Sequence, residues 1–320
     1  MKDLIHPLTT LPAHLQIMIL GLTVLGLWWG SEKVVWAVKN FARHFSVPEL
    51  LVGLTIVSIG SSFPEIFINI SAGLRGADDI GVGNIAGSCL VQISFIMGLC
   101  VLIGGTMKEN RKKLKRDAPM LLGAIFLLFL WSLNGVISPG EALFSLGIYL
   151  AYIIYLFRTA DRIEKLNKKK SKSNKLAWVG AFFAGGITIW LSAEVLVDIG
   201  VTAGENIGIS KGIVGLLSGV GTAIPELSIS LMALLRKSNG ISVGNLLGSN
   251  ITDPLLSLSL GAIIGGGFTV SNFFLFQVIP IWFALTTLVI FLFWKYGKIT
   301  RVPAVGLMLI YIGIFWWFLW

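Results

Sequence analysis

The chain has 320 residues, 55% of them hydrophobic and 13% charged, with 25 Lys and Arg against 16 Asp and Glu for a net charge of +9. That is too apolar for a soluble globule and points to an all-α membrane protein. Spans of about 20 residues each, repeated ten times, would consume most of the length and leave no room for a catalytic domain in water.

Apolar runs bounded by Gly, Pro or charge predict ten transmembrane helices near 15–40, 49–75, 80–104, 117–135, 139–158, 176–204, 211–236, 241–266, 272–296 and 302–320. The first run lacks a small-residue cleavage site and reads as a retained span rather than a signal peptide. Cys89 and Cys100 lie inside apolar segments, too far apart along a helix to bridge, and read as packing residues. Every second connection collects Lys and Arg: 22 of the 25 fall on one side, and only Lys2, Arg75 and Lys211 on the other. Cytoplasmic loops retain positive charge, so the split predicts a multi-pass protein of the cell (cytoplasmic) membrane with both termini outside. It also explains the +9 through the bilayer, with no nucleic acid as partner and no obligatory protein partner evident.

The longest polar stretch, 158–175 with Lys168-Lys169-Lys170, divides the chain into 1–157 and 176–320. It reads as a basic cytoplasmic linker that sets orientation, the alternative being a lipid-binding or regulatory loop. The two parts repeat one another. A shift of 161 lays Gly60, Pro64, Glu65, Arg75, Gly83, Asn84, Gly87 and Ser88 over Gly221, Pro225, Glu226, Arg236, Gly244, Asn245, Gly248 and Ser249. A shift of 162 pairs Trp28, Glu32 and Gly53 with Trp190, Glu194 and Gly215, so one residue is missing between Gly215 and Gly221. Five spans per unit is an odd number. The second unit must therefore enter from the opposite face, the inverted-repeat plan of secondary transporters, with a site expected near the midplane.

An ionised carboxylate at bilayer depth is costly and normally faces something it binds. Glu65 and Glu226 each follow a proline about fifteen residues into a span, and Pro64 and Pro225 are expected to kink their helices, freeing carbonyls near Ser58 and Gly219. Carboxylates, hydroxyls and carbonyls are hard oxygen donors that suit Ca2+ or Na+ far better than zinc or copper. Two negative charges match one divalent ion; without one, their repulsion would force a proton onto one acid. A lone buried glutamate reads equally as a structural hydrogen-bond partner; two repeat-related Pro-Glu pairs do not.

Ser88 to Gln92 and Ser249 to Asp253 are i, i+4 steps that put each pair on one helical face, where it can look at the glutamates. Asp253 answers neutral Gln92, so the site is expected to be asymmetric. Gly83/Gly87 and Gly244/Gly248 are small-xxx-small pairs that read as close helix packing. Weaker signals carry little. Gly81-Val82-Gly83 with Gly87 has the wrong spacing for a dinucleotide fingerprint, and Asn69-Ile70-Ser71 and Asn250-Ile251-Thr252 fit the glycosylation pattern but lie in predicted spans. Glu32 and Glu194 read as capping or pairing near a membrane face, His6, His14 and His44 form no ligand cluster, and Trp28, Trp29, Trp316 and Trp317 read as interfacial anchors. No Gly-rich Lys-Ser/Thr loop is present, which argues against direct ATP drive.

At its Pro-Glu and Gly-Asn-x-x-Gly-Ser blocks the chain resembles the cation/Ca2+ exchanger superfamily, particularly its prokaryotic sodium/calcium exchanger branch. The resemblance covers essentially the whole chain. It implies ten spans, a central Ca2+ site and surrounding Na+ sites used alternately from the two faces, with no enzymatic step and no cofactor. It further implies that Glu65 and Glu226 ligate Ca2+ with Ser61 and Thr222, that Ser58, Ser62, Ser88, Gly219 and Ser249 match Na+-coordinating positions, and that Gln92 and Asp253 form the remaining midplane pair. The first and sixth spans are the elements expected to slide. Ser61 stands where the family commonly has Thr, Ala223 where it usually has a second hydroxyl, and Gln92 where it commonly has Asn; the last two bear on the number and identity of the coupling ions. The expected activity is export of Ca2+ in exchange for Na+. The alternatives are H+ coupling, a passive cation channel in the same cavity and, least of all, an intramembrane acid protease.

Overall fold

The computed structural model describes residues 13–45, 47–109, 111–163, 175–204 and 211–319, almost all of them helical. In chain order the helices are α1 (Ala13–Phe45), α2 (Glu49–Ser61), α3 (Phe63–Arg75), α4 (Asp78–Gly104), α5 (Arg111–Ser132), α6 (Pro139–Ile163), α7 (Lys175–Gly204), α8 (Lys211–Thr222), α9 (Ile224–Leu235), α10 (Asn239–Gly265), α11 (Phe274–Tyr296) and α12 (Arg301–Leu319). Among the described residues, seven helical stretches are long and apolar enough to cross a membrane, or eight when the bent pair α2–α3 is counted as one span. Lys2, His6, both chain ends and the linker's Lys168-Lys169-Lys170 lie outside the described residues, as do the side chains of His14, Glu194 and Lys211.

Packing is reciprocal between the two halves. α1 lies along α7, α2 crosses α10 as α8 crosses α4, α3 packs on α10 as α9 packs on α4, and α5 meets α11. Small residues make this possible, because apolar helices in lipid gain their contact energy from close approach of backbones. A Cβ on Gly244 would strike the carbonyl of Leu50, and one on Gly248 would come within 2.8 Å of Leu54 Cα and 2.9 Å of Ser58 Cβ.

Among the described residues, four strands of two residues each, which no sequence period announced, join the connections. Met107–Lys108 (β1) pairs antiparallel with Lys298–Ile299 (β4), and Val136–Ile137 (β2) with Phe268–Thr269 (β3). Under the repeat, β1 corresponds to β3 and β2 to β4, so each sheet is the other's counterpart. Further contacts sort the connections into two groups. Lys108 N–H donates to Asn239 Oδ1 at 2.8 Å, Arg111 to the Lys295 carbonyl at 2.9 Å and Lys39 to the Arg236 carbonyl at 3.1 Å. Arg236 also pairs with Glu32, the face-proximal pairing expected of that acid. The other group holds β2–β3 with Asp78, whose Oδ2 accepts from the Thr269 N–H at 2.9 Å and hydroxyl at 2.7 Å. Trp28, Trp29, Trp316 and Trp317 are all about half exposed.

Candidate cation site

Proline sets the local geometry of both glutamates. Pro64 and Pro225 sit in the first turn of α3 and α9, where their missing N–H is no loss to the new helix. The preceding helix ends, and α2 meets α3 at 47°. Ser62 (φ −78°, ψ 10°) and Ala223 (φ −77°, ψ 2°) make the two turns. The carbonyls of Ser58 and Gly219, expected to be freed, are engaged. Ser58 O accepts from Ser62 N–H at 3.0 Å and the Ser61 hydroxyl at 3.3 Å; Gly219 O accepts from Ala223 N–H at 3.1 Å and the Thr222 hydroxyl at 3.2 Å. The i, i+4 bonds survive to these residues because each proline removes its donor later, opposite Gly60 and Gly221.

Glu65 and Glu226 are fully buried, and so is Asp253. Glu65 is within electrostatic reach of both other acids. The hydroxyls of Ser62 and Ser249 each lie 3.5 Å from Glu226 Oε1 and 3.4 Å from one another. Asp253 Oδ2 accepts from Ser88 at 3.3 Å, from Gln92 Nε2 at 3.4 Å and from the Cys89 thiol at 3.6 Å. Among the described residues both oxygens of Glu65, Oε2 of Glu226 and Oδ1 of Asp253 have no hydrogen-bond donor. Buried acids are normally paired or hydrogen-bonded, so these oxygens are what a cation would take.

Cross-links between the halves hold the rest. The Ser61 hydroxyl donates to Asn245 Oδ1 at 3.0 Å, and Asn84 Nδ2 donates to Thr222 Oγ1 at 3.1 Å, one contact being the repeat image of the other. Asn69 Nδ2 donates to the Glu65 carbonyl at 2.9 Å and Asn245 Nδ2 to that of Glu226 at 3.3 Å, so the backbone of each acid is tied to the same network. The helices widen to π turns that begin at Gln92 and Asp253, a distortion common at functional positions; Pro254 supplies a cause for the second. Gly219 is packed against the Asn84 carbonyl and the Ser88 N–H, where no side chain fits.

The structure thus brings Ser62, Ser249 and Glu226 together, and Ser88, Gln92 and Asp253 together, with Ser61 and Thr222 on the bridging asparagines. The Ser58 hydroxyl donates to the Leu54 carbonyl at 2.9 Å and lies 3.4 Å from Thr252 Oγ1. No three acid, His or Cys side chains among the described residues close on one point as a tight metal centre would; the donors are spread over carboxylates and hydroxyls. Cys89, read as a packing residue, also touches Asp253; the bridging roles of Asn84 and Asn245 had no signal beyond their repeat, and Asn69 drew notice only through a glycosylation pattern. An apolar cavity of about 230 Å3 lies beside the two breaks, bordered by Ser61, Pro64, Pro225, Phe67, Phe182 and Trp190.

The description "Sodium/calcium exchanger protein" belongs to a family model that matches the chain twice, over residues 15–158 and 177–320. An uncharacterized membrane protein of Methanocaldococcus jannaschii is 30% identical, across 92% of this chain and 94% of its own length. The sodium/calcium exchanger MaX1 of Methanosarcina acetivorans is 28% identical, across 93% of this chain and 96% of its own. A solved structure of the sodium-calcium exchanger NCX_Mj superposes with a TM-score of 0.79 at 27% identity, covering 92% of this chain and 96% of that one. With a polar, acid-bearing cluster buried in membrane-length helices and both halves matched by one family model, the chain belongs to the sodium/calcium exchanger protein family of membrane cation exchangers.

Proposed function

We propose that this exchanger exports Ca2+ in exchange for Na+ by alternating access, the two ions competing for one set of oxygens around Glu65, Glu226 and Asp253. The observation that carries the reading is the set of carboxylate oxygens, contributed by both halves, that lack any donor among the described residues. One Ca2+ balances the two glutamates, and Na+ ions balance them one charge each. A cluster holding neither keeps uncompensated buried charge, which costs several kcal/mol per ion, and resists closing over. Coupling follows from that rule with no chemical step. In this reading Ser61 and Thr222 complete the Ca2+ site, while Ser58, Ser62, Ser88, Gly219 and Ser249 serve Na+ beside the midplane pair Gln92 and Asp253.

The architecture proposed is ten spans in two inverted five-helix units, 1–157 and 176–320, joined by the basic linker. Reciprocal packing of the halves supports it, and so does the sorting of connections, since β1–β4 joins the third and ninth and β2–β3 the fourth and eighth. The β1–β4 side carries the basic connections and is the cytoplasmic face; both termini are outside. α1 and α7, which lie chiefly along one another, slide as a pair to open the cluster to either side.

Reconstituted vesicles test the reading. Ca2+ uptake should be driven by an outward Na+ gradient, and Glu65→Gln or Glu226→Gln should lower that flux at least about a hundredfold, as loss of a buried charge contact does. Flux that follows only an imposed pH gradient would replace Na+ with H+, a reading favoured by Ala223, which lacks a hydroxyl. Wild-type flux in either glutamine variant would remove the site.

A further inference from the structure

We propose that Trp282 and Asn250 are positioning residues that lock Gln92 as a hydrogen-bond donor to Asp253, so that Gln92 orients this acid and does not itself ligate the transported cation. Trp282, on α11, is completely buried, and its Nε1 lies 3.0 Å from Asn250 Oδ1 on α10. An indole nitrogen only donates. The Asn250 atom facing it must therefore be the oxygen, which fixes the way round of an amide whose two ends are otherwise alike in shape.

The remaining contacts follow in sequence. The Asn250 amide nitrogen has two hydrogens: one goes to the Leu246 carbonyl at 3.1 Å, the other to Gln92 at 2.9 Å. An atom receiving that hydrogen must be the Gln92 oxygen. Gln92 is thereby fixed in turn, and its nitrogen is the end left for Asp253 Oδ2, 3.4 Å away. With its oxygen held by Asn250, Gln92 turns its amide nitrogen, which cannot ligate a cation, toward Asp253. Donors from Ser88, Cys89 and Gln92 all converge on Oδ2, and Oδ1 is the atom without a donor among the described residues. Locking Gln92 thus decides which oxygen of Asp253 remains for the ion.

The relay has no image under the repeat. Under the 161-residue repeat Asn250 corresponds to Cys89 and Asp253 to Gln92. The other half therefore contributes a thiol and an amide that donate, where this half contributes an acid that accepts.

The inference rests on the reading of Asp253 as part of the cation site, and the experiment separates the two. The full chain is reconstituted in vesicles, and the half-saturating Ca2+ concentration and maximal rate are measured under a fixed driving gradient. Trp282→Phe keeps a ring but loses the donor. It should raise half-saturating Ca2+ about three- to tenfold, the range set by one buried hydrogen bond, with the maximal rate per folded protein little changed. Asn250→Leu keeps nearly the volume yet neither accepts from Trp282 nor donates to Gln92. It should shift the same parameter in the same direction and stands in if the Trp282 variant does not fold. In a Gln92→Leu background neither change should have a further effect. Unchanged half-saturation in a folded single variant, or a shift that persists in the Gln92→Leu background, overturns the relay. Asp253→Asn is the dividing control: no change there removes the cation-site reading itself, whereas a change there without one at Trp282 or Asn250 removes only the inference.

Discussion

Glu65 and Glu226 occupy equivalent places in the two halves but keep different company. Glu226 has Ser62 and Ser249 beside Oε1. The repeat images of those serines are Ala223, which has no hydroxyl, and Ser88, which turns to Asp253 instead. Glu65 is left with two bare oxygens as a direct result. Ala223→Ser restores the missing group at a fully buried position, where a new hydroxyl has strong reason to find a partner. Half-saturating Na+ should fall about two- to fivefold, within the worth of one added polar contact; an unchanged Na+ dependence of Ca2+ flux would show that Na+ binding is not limited there. The two acids were legible in the sequence because proline and repeat marked them. Their partners were not, since i, i+4 spacing assigns Ser249 and Asp253 to a face without saying which oxygen meets which donor. Asn250 drew notice only through a glycosylation pattern, and Trp282 is 32 residues from it in the chain.

At the scale of elements, the proline breaks and the helix crossings depend on one another. α10 lies against α2 through Gly244 and Gly248, and Ser249 is the next residue along. Any atom added at Gly248 pushes α10 from α2 and moves Ser249 relative to Glu226. Gly248→Val should therefore destabilise the protein by about 1–3 kcal/mol, the cost of overpacking, seen as a lower melting temperature in detergent together with weaker Ca2+ binding. Gly180→Val is the matched control, because nothing lies within 4 Å of a Cβ there; equal losses in both would assign the effect to helix propensity. Helix existence was readable from hydropathy over long windows. The four strands were not, because two residues carry no period, and they are recognisable only once the connections are placed side by side.

At the scale of the molecule, every described link between connections respects one division into two faces, as the proposed five spans in each half require. Cysteine labelling tests it directly. Cys89 and Cys100 are buried, so the unmodified protein gives little background with a membrane-impermeant thiol reagent. Lys298→Cys, exposed on β4, should react only when the reagent reaches the cytoplasmic side, and Gly140→Cys, exposed at the start of α6, only from outside. Reaction of both from one side would reject the ten-span arrangement.

The unshared carboxylate oxygens carry one more implication, for the upkeep of the protein rather than its turnover. In the proposed site, a centre built of like charges without counterparts pushes its own scaffold apart, and a bound cation would supply the cohesion the chain lacks. By mass action a ligand present at a hundred times its dissociation constant adds about 2.7 kcal/mol to the folded state, a sizeable share of the total stability of a typical protein. The vacated carrier is then the form nearest to unfolding, and a preparation stripped of cations is where the molecule is first lost.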